Sequence, residues 1–132
     1  MILRALLIAA AAAAVSGCVS QQQVDKVLAT QRPPTAAEKA AIVNAARDYL
    51  VDPYSVRDAE ISNVVTLNDK GLKAVCVKAN AKNRMGGYVG RTTVSVRLLN
   101  GKPVSTWENA PACLNANMSY RRFPELENLK NL

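Results

Sequence analysis

The sequence predicts an α+β fold: an N-terminal helix packed on a small antiparallel β-meander of three to four strands, with one disulfide and a short C-terminal helix. Three observations carry that expectation. Residues 35–50, TAAEKAAIVNAARDYL, repeat their apolar positions at helical spacing. Residues 59–107 instead alternate apolar with polar, interrupted by the turn tetrapeptides Asn68-Asp69-Lys70-Gly71 and Asn100-Gly101-Lys102-Pro103. Finally, a helix followed by consecutive hairpins lays that helix on one face of the sheet.

Thr35 with Glu38 three residues later matches a capping box, so the helix starts there. Ala36, Ala40, Val43, Ala46 and Leu50 share one face, flanked by Ile42 and Tyr49, while Glu38, Lys39, Arg47 and Asp48 point elsewhere. Asp52-Pro53 ends the helix, because a residue before proline is driven out of the helical region. The strands follow at Ala59–Leu67, Leu72–Asn80 and Arg91–Leu99, with a fourth around Val104–Trp107. Val75, Val77 and Ala79 face one side of the second strand, and Val94, Val96 and Leu98 face inward on the third. In the closing FPELENLKNL, Pro124 suits a first helical position and Leu126 and Leu129 share a face, packing either on the domain or on a partner.

The chain begins MILRALLIAAAAAAVSGC: Arg4, an apolar run from Ala5 to Val15, then small residues before Cys18. This is the three-part pattern of an export signal. Its apolar run is well short of the roughly 20 residues that cross a bilayer. Val15-Ser16-Gly17-Cys18 resembles the lipobox of bacterial lipoproteins. The resemblance implies removal of residues 1–17, a diacylglycerol on the Cys18 sulfur, and a fatty acid of the palmitate type on the new amino group. The alternative is an ordinary cleaved signal with a chance cysteine. By the same resemblance, Val19 in place of an aspartate implies transfer to the outer membrane, with the domain facing the periplasm. Residues 18–34, rich in glutamine and ending Pro33-Pro34, read as a lipidated cysteine and flexible tether, able to reach about 50 Å from the bilayer. Residues 35–132 form a single domain.

Of the 17 Lys and Arg only Arg4 lies in the leader, so 16 remain against 10 Asp and Glu, a formal +6 once the N-terminus is acylated. That balance suits anionic surroundings such as lipid phosphates, acidic glycans or an acidic partner. It disfavours an inhibitor of cationic lysozymes, which should be acidic. With Cys18 assigned to lipid, Cys76 and Cys113 are left as a pair in an oxidising compartment, either bridged or buried as free thiols. The chain contains no histidine, which removes Ser-His, Cys-His and histidine-based metal chemistry. The carboxylate spacings Asp48/Asp52 and Asp58/Glu60 are common by chance, and no enzyme, metal or cofactor is expected.

The loop between the second and third strands, NAKNRMGGYVG, gathers Lys78, Asn80, Lys82, Asn83, Arg84, Tyr88 and Arg91. Backbone N–H groups beside lysine and arginine can grip phosphate, sulfate or carboxylate. The alternative is a solvated hairpin whose asparagines bond their own backbone. No Gly-Lys-Ser or Gly-Lys-Thr follows the glycines, so a Walker-type phosphate loop is excluded. Asp52-Pro53-Tyr54-Ser55, Val75-Cys76-Val77-Lys78-Ala79-Asn80-Ala81-Lys82-Asn83 and Gly86-Gly87-Tyr88-Val89-Gly90 together resemble a pattern of small exported bacterial proteins of uncharacterised function, DP-x-S … VCG-x-VNAKN-x-x-GGY-x-G. Val77 and Ala79 stand where that pattern has glycine and valine. The resemblance implies a fold and no activity.

Two functions follow as expectations. The first is a non-catalytic envelope lipoprotein acting as an interaction or structural subunit for a protein partner. The second is a binder of an anionic envelope ligand, a lipid headgroup, peptidoglycan or another acidic glycan, through residues 78–91. Nucleic acid is not expected, since only Tyr88 lies among the basic residues of this loop.

Overall fold

A computed structural model describes residues 20–131. The leader, the lipobox with Cys18, and the sorting residue Val19 lie outside the described residues. Among those described, no helix is long and apolar enough to cross a membrane.

The chain runs α1 (Gln21–Leu28), α2 (Ala36–Tyr49), β1 (Arg57–Thr66), β2 (Leu72–Asn80), β3 (Thr92–Leu99), β4 (Lys102–Glu108), β5 (Tyr120–Arg122) and α3 (Pro124–Glu127). Short 3-10 turns occupy Pro53–Ser55, Pro111–Leu114 and Asn128–Asn131. The α+β layout, the closing helix and the disulfide are as expected from the sequence. The sheet has five strands rather than three or four, ordered β4-β3-β2-β1-β5 with every pair antiparallel. β1 to β4 form the meander. β5 then returns past the whole sheet to the far edge, where Ile61 faces Arg121. Asn100-Gly101 turns β3 into β4 with both residues at positive φ (52° and 75°), the conformation that a two-residue hairpin favours.

α2 lies on one face. Its Ile42 and Val43 are buried with Ile61, Val64, Val75, Val77, Val96 and Leu98 of the sheet, and Phe123, Leu126 and Leu129 complete this core. The leucines of the closing segment therefore pack on the domain. The buried stripe of α2 is rotated from the alanine-rich one: Ala36 and Ala40 are exposed, whereas Glu38 is buried. Arg32 explains the rotation. Its guanidinium grips both Glu38 carboxylate oxygens at 2.8 and 2.9 Å, and the Thr35 N–H donates to the same carboxylate at 2.9 Å. The pair draws the 38/42/46 row inward. The Arg32 bond, reinforced by Thr35 and opposed by burial, holds the Glu38 carboxyl at a pKa of about 2.

The second face is also covered, and here the tether expectation fails. Residues 20–34 are folded onto the domain. Ser20 and Gln23 close a capping box on α1, and Val24 and Leu28 are buried against Val65, Ala74, Cys76, Cys113 and Met118. The Gln31 amide donates to the carbonyls of Leu28 and Asn117 and accepts from the Ser119 N–H. Arg32 exchanges two backbone hydrogen bonds with Val64, at 3.0 and 2.7 Å. A glutamine-rich composition suggests a connector, but three apolar residues spaced for one helix face had a core waiting for them.

A register shift in β1 serves both cores. Between Ile61 (opposite Val77) and Val64 (opposite Val75) the strand holds an extra residue, so Ile61 and Val64, three apart, both face the larger core and Val65 faces the other. The buried Ser62 hydroxyl fills the gap in the ladder, accepting from the Cys76 N–H at 2.7 Å. Cys76 is bridged to Cys113 across 37 positions of sequence, with Cα atoms 5.6 Å apart, tying β2 to the turn Pro111–Leu114.

Candidate functional site

The expected binding residues do not converge on a common ligand position. Lys78, on β2, stacks over the Tyr120 ring at 3.8 Å. Burial, with Glu60 nearby, pushes the Tyr120 hydroxyl up to about 12. Arg91 pairs with Glu60 at 3.0 Å. Asn80 is buried, and its side-chain oxygen has no hydrogen-bond partner among the described residues.

Asn83 bonds its own loop. Its side-chain oxygen accepts from the N–H groups of Met85 and Gly87, its N–H donates to the Gly87 carbonyl, and its carbonyl accepts from the Gly86 N–H. Gly86 adopts φ 78°, which closes this small ring of bonds. The N–H groups that would cradle an anion are thus turned inward.

Tyr88 fastens the loop to the Pro53–Ser55 turn. Its hydroxyl donates to the Ser55 carbonyl at 2.6 Å, and its ring carries the Arg57 guanidinium at 3.6 Å and the Lys82 ammonium at 5.8 Å. The Ser55 hydroxyl donates to the Asp52 carbonyl and accepts from the Lys82 N–H at 2.8 Å. Asp52-Pro53-Tyr54-Ser55 and the glycine loop, separated in sequence, are one clasp in space. Lys82 and Arg84 remain exposed, with no carboxylate partner among the described residues.

No family model, curated protein or solved structure matches the chain.

Two other features were not anticipated from the sequence. A groove of about 410 Å³ opens between α2 and β4. Ile42, Ala46 and Leu50 form one wall, Val77, Val94 and Val96 the floor, and Val104 with Thr106 the other wall. It exists because one 14-residue helix cannot cover a five-stranded face. Asp48 lines it, and the Tyr49 hydroxyl crosses from α2 to Glu108 of β4 at 2.9 Å. Burial and the Glu108 carboxylate push the Tyr49 hydroxyl up. The alternation in β3 is the only sequence signal for this surface, and it does not say which valines a helix will leave uncovered.

The other feature is a charged hollow of about 300 Å³ where Asp58, Glu60 and Glu127 meet Arg91 and Arg122. Glu60 is taken by Arg91, and Asp58 lies 3.9 Å from Arg57. Among the described residues, no group of three or more His, Cys, Asp or Glu is arranged to hold a metal ion.

Proposed function

We propose that this protein is a non-catalytic envelope lipoprotein, anchored in the outer membrane through Cys18 and facing the periplasm, which serves as an interaction or structural subunit. The α2–β4 groove carries this reading. It is apolar, open and of the volume that recognition sites usually have. Asp48 lines it and Glu108 is held beside it by the Tyr49 hydroxyl, two carboxylates on a basic chain. These features fit an apolar segment of a protein partner that carries a lysine or arginine beside them. The lipobox and Val19 support the anchoring, and the missing histidine supports the absence of catalysis.

The test is affinity isolation of the full-length lipidated protein from detergent-solubilised membranes, at low and high salt, beside a Val104→Lys variant that puts a charge on the groove wall. The expected result is one protein retained at stoichiometric level through high salt by the wild type and lost by the variant. Equal retention by both removes the groove from the account.

A second reading, binding of an anionic lipid headgroup or acidic glycan, rests on exposed Lys82 and Arg84. Lys78 and Arg91 are engaged by Tyr120 and Glu60, and Lys82 itself lies 5.8 Å from the Tyr88 ring, so this grip is limited to two side chains.

A further inference from the structure

We infer that the face formed by α1 and the Pro111–Leu114 turn lies on the bilayer, with Trp107 seated at the headgroup boundary. The inference rests on the proposed lipidation of Cys18 and adds the orientation of the domain.

Only Val19 separates Cys18 from Ser20, the N-cap of α1. Two residues span at most about 7 Å. From Ser20 onward the chain does not lead away from the domain: α1 is buried along Val24 and Leu28, and Arg32 is stitched to Val64. A lipid on Cys18 therefore brings the first turn of α1 to the membrane surface.

The neighbouring surface suits that position. Gln23 and Val27 of α1 share a hollow with Trp107 and Pro111. Trp107, the one tryptophan of the chain, is 48% exposed, and Leu114 on the same turn as Pro111 is 60% exposed. An amphipathic indole belongs at the boundary between acyl chains and headgroups, and exposed leucine beside it adds apolar area. Arg97 lines the hollow and can meet a lipid phosphate, while Lys26 lies with Asp25 in a separate hollow along α1. Because α1 and α2 cover opposite faces of the sheet, this orientation turns the α2–β4 groove away from the membrane, where a partner can reach it.

Trp107 is its own reporter. Full-length protein purified from membranes is reconstituted into nanodiscs of phosphatidylethanolamine and phosphatidylglycerol, with and without brominated phosphatidylcholine, and mass spectrometry reads Cys18 in the same preparation. The expected result is acylated Cys18 with Trp107 emission quenched by the brominated lipid and shielded from acrylamide. Leu114→Asp, on an exposed turn, should at least halve the lipid quenching. Acylated Cys18 with Trp107 unquenched by lipid, or quenching indifferent to Leu114→Asp, overturns the orientation alone. Unmodified Cys18 overturns the anchoring and the orientation together.

Discussion

The Tyr88 hydroxyl donates to the backbone carbonyl of Ser55 across 33 positions of sequence. With the Ser55 hydroxyl accepting from the Lys82 N–H, it closes the glycine loop onto the end of the α2–β1 connection. Tyr88→Phe keeps the ring under Arg57 but removes the only donor to that carbonyl among the described residues. Stability should fall by about 1 kcal/mol in urea titration, and amide exchange should accelerate at residues 82–88. An unchanged midpoint and unchanged exchange would show the clasp to be energetically silent.

Acid should unfold the domain through Glu38. Its carboxyl has a folded pKa of about 2 against an ordinary 4.5, so the unfolded chain takes up the proton first. The stabilisation is complete above about 4.5 and is lost as pH falls toward 2. With Arg32 half open to solvent, the contribution is on the order of 2 kcal/mol. Glu38→Gln should be less stable than wild type at pH 7 and should lose most of that difference at pH 2.5, as read by thermal unfolding.

The Cys76–Cys113 bridge closes a loop of 37 positions and is buried at both ends. In the chain-entropy account it contributes about 4 kcal/mol. Cys76→Ser with Cys113→Ser should lower the urea midpoint accordingly and expose α1 to protease first, because the second core loses its centre. Retention of the wild-type midpoint would contradict this.

Asn80→Leu should leave stability unchanged or raise it. The side-chain oxygen of Asn80 is buried without a partner among the described residues, so an apolar replacement of similar size breaks no hydrogen bond of that oxygen and removes a desolvation cost of about 1 kcal/mol. A marked fall in melting temperature would mean that a bound water or ligand satisfies this oxygen.

Lys82→Ala with Arg84→Ala should not affect folding, since both side chains are exposed. The double variant should keep a partner held through the groove and lose any salt-sensitive retention on peptidoglycan sacculi. Retention on sacculi unchanged at low salt would reject the anionic-ligand reading.

The helix at 36–49 and strands β1 to β3 were legible because caps, turn residues and periodicity agree there. Two features escaped for different reasons. β5 is three residues long, YRR, with no alternation to mark it, and it is defined by its place beside β1 rather than by its own composition. α1 does carry a signal, Ser20-x-x-Gln23 ahead of Val24, Val27 and Leu28, but its glutamines favoured a connector. In the loop, Asn83 bonding its own backbone was foreseeable from residue type. That Lys78 and Arg91 would be occupied by Tyr120 and Glu60 was not, because those contacts cross strands whose pairing no local pattern reveals.

Phe123, Leu126 and Leu129, all almost fully buried, supply the centre of the larger core from the end of the described chain, and β5 seals the edge opposite β4. In chain order, four strands and two helices precede the last three large side chains of that core. Without residues 120–129, Glu60 to Ser62 of β1 lack a strand partner on that edge and the core between α2 and the sheet lacks Phe123, Leu126 and Leu129. Completion of the larger core is thereby tied to this closing segment.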